Sequence, residues 1–269
     1  MKLIEDKINF EKGFGSASGI LYTKEILFLE MDAPLFRSSK WEITYSPSMG
    51  ATKEEIKQDL VKYIQQNNVE LLSTNVVKNH IAWIDFISQK KYPFISKKMT
   101  YRGIEHGLTT SCSSLPEWAD FLRVKAKVNF PEWILNLHNE PKIIVIDYNS
   151  SGNEKSILED VTKLKEAFPN SQIYLEQPYS DMTKIDRKLD VQYIFDTSNT
   201  VKLIQDKVIL PCDIMHLKIG RNSPKEYLNA INKGILVGFG NVSSSKRGQE
   251  VCSEIAELLS TIIFTAEND

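Results

Sequence analysis

The chain has 269 residues, enough for one barrel domain or for two ordinary domains. Hydrophobic residues make up 42% and charged residues 25%, which is the balance of a globular protein. The 33 basic and 35 acidic residues leave a net charge of −2. This excludes the strongly basic surface that nucleic acids and anionic membranes select, so we expect no nucleic-acid partner and no membrane partner.

The cellular setting is predicted from the apolar runs and the cysteines. No apolar run approaches the ~20 residues that span a bilayer. The first thirteen residues carry acids among the apolar positions, unlike a secretory signal. Cys112, Cys212 and Cys252 are an odd number without a CxxC spacing. We therefore expect a reduced, cytoplasmic setting.

Residues 1–100 predict a small α+β domain. Strand-like runs over residues 3–10, 20–31 and 41–45 are separated by turn residues. Helical patterns follow, and Thr52 with Glu55 three residues later predicts a capping box at the start of the first. The glycine-rich segment 13–19 lacks the lysine of a phosphate-binding loop, so we interpret it as a flexible loop.

Residues 101–269 alternate between strand-like and helical patterns. Strands are predicted over residues 122–128, 143–147, 173–176, 193–196, 214–219 and 235–239, with an earlier one around 106–111. The clearest helix between them covers residues 156–168, and the last helix is predicted over residues 250–266. This rhythm predicts parallel strands, in a barrel or in an open doubly wound sheet. No eighth strand is predicted.

Titratable residues at strand ends favour the barrel. Asp147, Glu176 and Asp196 end apolar runs, and Lys218 comes near the end of another. In a parallel barrel these ends open on one face, so the side chains can converge. An open sheet of the Rossmann type needs a glycine-rich turn after its first strand, and none is present. We predict an α/β fold: a βα barrel of the TIM type, possibly seven-stranded, over residues 101–269 after the α+β domain.

The same residues predict a metal and a base. Asp147, Glu176 and Asp196 offer an all-oxygen site that suits Mg²⁺, unless each is a separate solvated charge. Lys125 and Lys127 are two residues apart on a strand, so they share a face. If that face is the interior, mutual repulsion and a nearby metal would make one of them a usable general base.

The motifs together resemble the enolase superfamily, and within it the muconate cycloisomerase-like group that contains the o-succinylbenzoate synthases. The motifs, in order, are Lys125-Ala126-Lys127, Asp147-Tyr148-Asn149, Glu176-Gln177-Pro178, Asp196-Thr197-Ser198 and Leu217-Lys218. The resemblance implies an N-terminal capping domain and magnesium-assisted removal of a proton α to a carboxylate. It implies that Lys127 is the base, Lys218 the opposing cation, and Lys125 the group that lowers the pKa of Lys127 and contacts the substrate carboxylate.

The function implied by the resemblance is that of a lyase, an o-succinylbenzoate synthase-like dehydratase of menaquinone biosynthesis, with a small-molecule carboxylate as substrate. Ser243, Ser244 and Asn149 are the expected substrate-binding residues, and segment 13–19 is expected to close over the site. His216 is expected to be packed or outward-facing. A dipeptide epimerase, a muconate cycloisomerase and a non-catalytic relative with an incomplete barrel remain alternatives.

Overall fold

The computed structural model describes residues 1–16, 19–36, 38–45, 49–90, 92–106, 111–126, 130–240 and 245–268. They form two compact units. The first unit contains Met1–Ser96, Leu217–Asn229 and Phe239–Ser260, and the second contains Lys97–His216, Ala230–Gly238 and Thr261–Asp269. The predicted domain division at residue 100 stays a proposal.

The strands of the first unit form an antiparallel sheet in the order β1-β2-β3. They are β1 (Lys2–Ser16), β2 (Gly19–Leu35) and β3 (Ser38–Ile43). Segment 13–19 is therefore mostly strand and not the predicted loop. The ladder is irregular between Asn9 and Phe14, then resumes with Phe14 opposite Leu21 and Ser16 opposite Gly19. Residues 17 and 18 lie outside the described residues.

Two amphipathic helices follow, α1 (Lys53–Gln66) and α2 (Asn75–Ser88). The predicted capping box is confirmed: Glu55 N donates to Thr52 Oγ1 at 3.2 Å, and Thr52 N donates to Glu55 Oε2 at 2.8 Å. Both bonds satisfy amide groups that the first helical turn leaves without partners. Ile56, Leu60 and Trp83 point into the buried core of this unit.

Eight strands form the second sheet, in the order β10-β9-β8-β7-β6-β5-β4-β11. They are β4 (Met99–His106), β5 (Phe121–Lys125), β6 (Ile143–Asp147), β7 (Gln172–Glu176), β8 (Gln192–Phe195), β9 (Ile214–Leu217), β10 (Leu236–Phe239) and β11 (Ile262–Asn268). The described ladders from β11 through β4 to β9 are parallel. The helices α3 (Glu154–Ala167), α4 (Thr200–Gln205), α5 (Pro224–Asn232) and α6 (Lys246–Leu259) separate the later strands along the chain. Short 3₁₀ turns cover Val69–Leu71, Glu132–Asn136, Met182–Lys184 and Arg187–Leu189.

The barrel has eight strands, so the seven-stranded expectation was wrong. The last helix ends at Leu259 rather than at residue 266, and the chain then continues as β11, which pairs with β4. At the other end of the strand order, Thr261 N donates to the Val237 carbonyl at 2.9 Å, and Val237 N donates to Thr261 Oγ1 at 2.7 Å. These bonds join the β11 end of the sheet to β10, so the sheet curls round on itself.

Apolar side chains from all eight strands fill the interior of the barrel. The buried members are Phe121, Ile143, Val145, Tyr174, Ile194, Ile214 and Ile262, with Met99, Tyr101, Leu236, Phe264 and Ala266 packed against them. Most belong to the first half of their strand, so the carboxyl ends of the strands are left for polar side chains. Among the described residues, no helix is both long and apolar enough to cross a membrane.

Candidate active site

Strand β5 changes from apolar to charged along its interior face. Phe121, Arg123 and Lys125 alternate with Leu122 and Val124, and Phe121 belongs to the interior core. Side chains two residues apart on a strand share a face, so Arg123 and Lys125 follow Phe121 towards the carboxyl end of the barrel. Their side chains are only partly exposed, at 23% for Arg123 and 36% for Lys125.

The two neighbouring strands end in buried carboxylates. Asp147 is the last residue of β6 and is 6% exposed, and Glu176 is the last residue of β7 and is 2% exposed. The two residues are direct partners in the parallel ladder, and Asp147 is also opposite Lys125 of β5. Two acids and a lysine thus meet at the end of a barrel where enzymes of this architecture place their catalytic groups.

The loops after β6 and β7 fix the two acids side by side. Tyr148 N donates to the Glu176 carbonyl at 3.0 Å, and Ser150 N donates to the Gln177 carbonyl at 2.7 Å. Asn149 has a positive φ of 48°, and its backbone N–H donates to Asp147 Oδ1 at 3.0 Å. Asparagine tolerates this left-handed conformation better than most residues. The backbone therefore orients the Asp147 carboxylate.

The Arg123 guanidinium bridges the two carboxylates. Its Nη2 lies 2.8 Å from both carboxylate oxygens of Glu176 and 3.3 Å from Oδ2 of Asp147. Nη1 lies 3.7 Å from Oε2 of Glu105 on β4. Charge-assisted contacts of this kind are the stronger class of protein hydrogen bonds. A cation therefore already lies between the acids.

His216 and Lys125 complete the charged group. Nδ1 of His216 lies 3.5 Å from Oε1 of Glu176, so this histidine faces the interior, and the expectation of a packed or outward-facing side chain was wrong. It follows Ile214 of the interior core by two residues, which is the strand period that places it there. Nζ of Lys125 lies 3.9 Å from Oε1 of Glu105.

Burial and the neighbouring charges set the proton affinities of the two acids apart. Burial, reinforced by the negative charge of Glu176, raises the pKa of Asp147 to about 6. Burial also acts to raise the pKa of Glu176, but Arg123 and His216 outweigh it and lower that pKa below its usual value. Burial opposes the charge of Arg123, yet the surrounding carboxylates, with Glu176 the strongest, raise its pKa. Divergent pKa values of this kind are a feature of acid–base sites.

Solved structures with the same architecture match nearly the whole chain. A dipeptide epimerase from Methylococcus capsulatus, complexed with Mg and the dipeptide L-Arg-D-Lys, matches 98% of this chain and 88% of its own, with a TM-score of 0.67 and 12% identity. The L-Ala-D/L-Glu epimerase from Bacillus subtilis, in a substrate-liganded complex, matches 98% of this chain and 88% of its own, with a TM-score of 0.66 and 13% identity. The o-succinylbenzoate synthase from Thermosynechococcus elongatus, complexed with Mg in the active site, matches 100% of this chain and 95% of its own, with a TM-score of 0.57 and 12% identity.

The chain has the fold of the enolase superfamily. The match in fold covers nearly the whole chain, which confirms the predicted resemblance at the level of architecture. Sequence comparison adds nothing to it, because no family model and no curated protein matches. At 12% identity the enolase fold does not by itself choose between epimerase and dehydratase.

The structure brings together some of the residues predicted for an enolase-type site but not all of them. Asp147, Glu176 and Lys125 come together, and the charge of Asp196 acts on both Glu176 and Arg123. The described contact of Asn149 with the site is made by its backbone, since its side chain is exposed. Three predicted residues, Lys127, Ser243 and Ser244, lie outside the described residues.

Lys218 belongs to the first unit. Its backbone N–H donates to Oδ1 of the buried Asn222 at 3.0 Å, and its carbonyl accepts from the backbone N–H groups of Arg221 and Asn222 at 2.9 and 2.8 Å. The turn after β9 is therefore closed by its own backbone and by one buried amide. The role that the sequence predicts for the Lys218 ammonium group stays a prediction.

The donor chemistry fits a hard cation, but the arrangement holds a guanidinium. Asp147 and Glu176 converge on one positively charged group, and carboxylate oxygens are the donors that Mg²⁺ prefers. Across the described parts of the chain, no three His, Cys, Asp or Glu side chains are grouped so that they could hold a metal ion. The residues therefore suit the metal by type, and the cation that two of them contact is Arg123.

Sequence reasoning missed Arg123 and Glu105. The signal for Arg123 was present, because the period of two that links Lys125 and Lys127 extends back to it and to Phe121. Glu105 was missed because the strand was predicted around residues 106–111, whereas β4 covers Met99–His106 and so places Glu105 on the same face as Tyr101 of the core.

Proposed function

We propose that this chain is an acid–base enzyme that uses lysine to remove the proton α to the carboxylate of a small molecule. The observation that supports this most is the convergence of Asp147 and Glu176 beside Lys125 at the carboxyl end of an eight-stranded parallel barrel. That end of the barrel is where catalytic residues of this architecture lie. The solved neighbours include a dipeptide epimerase complexed with L-Arg-D-Lys, an L-Ala-D/L-Glu epimerase and an o-succinylbenzoate synthase, and these names describe small molecules that carry carboxylates.

Each predicted residue has a role in the proposal. Lys127 takes the α-proton, Lys125 contacts the substrate carboxylate and holds the Lys127 pKa down, and Lys218 supports the anion. Asp147, Glu176 and Asp196 would hold Mg²⁺, which when bound would stabilise negative charge on the substrate carboxylate. Asn149, Ser243 and Ser244 would bind the remainder of the substrate. None of the three cysteines, which all belong to the described residues, forms a disulfide, and this agrees with a reduced, cytoplasmic setting.

The proposed reaction is dehydration of the succinyl-hydroxycyclohexadiene carboxylate to o-succinylbenzoate, in menaquinone biosynthesis. The α-proton passes to Lys127, which then returns it to the departing hydroxyl group, so that water leaves and the ring becomes aromatic. Epimerisation of dipeptides is the second candidate, because dipeptide epimerases are among the solved structures with the same fold. Muconate cycloisomerisation shares the same lysine chemistry.

The experiment is a direct comparison of substrates with and without Mg²⁺. The purified protein is incubated in D₂O with the cyclohexadiene substrate or with L-Ala-L-Glu, and ¹H NMR follows product formation and loss of the α-proton signal. Magnesium-dependent formation of o-succinylbenzoate supports the dehydratase, and exchange with inversion on the dipeptide alone supports the epimerase. A protein that exchanges no α-proton on either substrate, at saturating Mg²⁺, contradicts the proposal and favours a non-catalytic relative.

A further inference from the structure

Arg123 makes its contacts with the atoms that the proposed metal would need. Nη2 is 2.8 Å from both oxygens of Glu176 and 3.3 Å from Oδ2 of Asp147, two of the three proposed ligands. Magnesium binds carboxylate oxygens at about 2.0–2.1 Å and demands near-octahedral geometry. The guanidinium and the metal therefore compete for the same oxygens, and their positive charges repel each other.

We propose that Arg123 is a displaceable internal cation, which neutralises Asp147 and Glu176 and must move aside before a divalent cation binds. The inference rests on the proposed metal site and adds to it a residue that regulates metal affinity. Two buried carboxylates on adjacent strand ends would repel without a cation between them, and Arg123 removes that repulsion. Arg123 thus holds the two carboxylates side by side, and its presence lowers their affinity for a metal ion.

Glu105 provides the second position for the guanidinium. Its Oε2 is already 3.7 Å from Nη1 of Arg123, on the side facing β4 and away from β6 and β7. Its side chain is 23% exposed, so a carboxylate there stays partly hydrated. A modest rotation of the arginine side chain would exchange the contacts with Glu176 and Asp147 for a closer pair with Glu105. Arg123 therefore has acidic partners on both sides, Glu105 on β4 and the pair of Asp147 and Glu176, and metal binding would leave it with Glu105.

The test is calorimetric titration of the full chain with MgCl₂ in the absence of substrate. Arg123→Met removes the charge, and we expect it to bind Mg²⁺ about tenfold or more tightly than the parent protein, since no buried pair has to be broken. Glu105→Gln removes the second partner, and we expect weaker binding than in the parent. Arg102→Met is the matched control: Arg102 is the exposed arginine that packs on Trp118 from β4, and we expect the parental affinity.

Two further variants tie the effect to this site. Glu176→Gln in the Arg123→Met background should abolish the gain in affinity, because it removes a proposed ligand. Arg123→Lys keeps a charge but cannot bridge two carboxylates with one planar fork, so its affinity should lie between the parent and Arg123→Met. If Arg123→Met is unfolded by circular dichroism, Arg123→Lys and Glu105→Gln carry the test.

The inference is overturned if Arg123→Met, or in its place Arg123→Lys, binds Mg²⁺ no more tightly than the parent. It is also overturned if Glu105→Gln leaves the affinity unchanged. Failure of the proposed function gives a different result. Tighter metal binding in Arg123→Met with no α-proton exchange on any substrate would uphold the displaceable cation and reject the enzyme. Exchange of the α-proton by the parent protein, with no gain in Mg²⁺ affinity in Arg123→Met, would uphold the enzyme and reject the displaceable cation.

Discussion

Trp41 donates its indole N–H to Nδ1 of His80 at 2.9 Å, deep in the first unit, where both side chains are buried. The other ring nitrogen, Nε2, lies 3.1 Å from the Thr44 carbonyl. Nδ1 must accept and Nε2 must donate, which assigns a neutral imidazole with its proton on Nε2. Protonation of Nδ1 would break the bond from Trp41. His80 is thus held neutral by its partners as well as by burial.

This arrangement predicts a loss of stability in acid. Burial lowers the pKa of His80 to about 4, although the bond to Thr44 acts to raise it. The unfolded chain protonates this histidine near pH 6.5, whereas in the folded protein the ring stays neutral at that pH. Stability therefore falls as the pH drops below about 6.5 and is fully present above it. The difference corresponds to ~3 kcal/mol. Urea denaturation at about pH 7 and about pH 4.5 measures it.

His80→Gln should flatten this pH dependence, whereas His138→Gln, at an exposed position, should leave it unchanged. An equally steep pH dependence in the parent and in His80→Gln would refute the assignment. Because His80→Gln also removes the buried ring that accepts from Trp41, its stability at neutral pH should fall; the comparison is therefore of slopes and not of absolute free energies.

A second prediction concerns Asp213, which is fully buried before β9. Its carboxylate accepts from Nη1 of Arg187 at 2.9 Å and from the backbone N–H groups of Tyr193 and Leu210 at 3.0 and 2.8 Å. Asp213→Ala leaves these donors unpaired, and we expect a loss of ~3–5 kcal/mol in the free energy of unfolding. Asp206→Ala, at an exposed position, should change it by about 0.5 kcal/mol or less. Equal effects would contradict the buried network.

A third prediction uses two glycines of the barrel. A Cβ atom on Gly103 would overlap the Phe121 carbonyl oxygen and lie 2.5 Å from a carbon of its ring. On Gly238 the nearest atom, the Ile262 carbonyl oxygen, would be 3.4 Å away. Gly103→Ala should therefore destabilise the barrel by about 1–3 kcal/mol or more, and Gly238→Ala by less. Thermal denaturation that ranks them in the opposite order would show that strand β5 can move away from β4.

The fourth prediction tests the proposed base. Lys127→Ala removes the proton acceptor but leaves the acids, so turnover should fall by ~10²-fold or more while Mg²⁺ binding persists. Steady-state kinetics and calorimetric titration measure the two effects separately. Lys142→Ala, which loses only an exposed pair with Asp120, should keep near-normal turnover. Near-normal activity in Lys127→Ala would remove Lys127 from the mechanism.

The barrel could be predicted from sequence wherever a strand ends in a charge. Residues 143–147 were predicted as a strand with the bounds that the structure gives, because four buried apolar residues are followed by Asp147 and then by turn residues. The last strand could not be found in this way. Its apolar residues follow the last helix after only Ser260 and Thr261, so the helical period continues across the break. Only the pairing with β4 identifies β11 as a strand.

The acidic residues of the site could be predicted from the sequence, but the cation that they contact could not. A strand period of two places Asp147 and Glu176 on the interior face, and the parallel register then makes them neighbours. Which cation lies between them depends on side-chain rotamers. Arg123 lies two residues before Lys125, which is the ladder partner of Asp147. Its guanidinium reaches the acids only because the side chain is long. A pattern of residue types does not predict how far a side chain reaches.

The position of β11 has a consequence for how the chain is made. Its neighbours are β4 and the β10 end of the sheet, so the ring of strands cannot close until the segment after Leu259 has left the ribosome. A nascent chain that stops there presents the edges of β4 and β10 with unpaired backbone groups, which are templates for wrong pairing between molecules. The growing polypeptide therefore remains vulnerable to aggregation until that segment has been translated, and a pause before it would prolong the exposure.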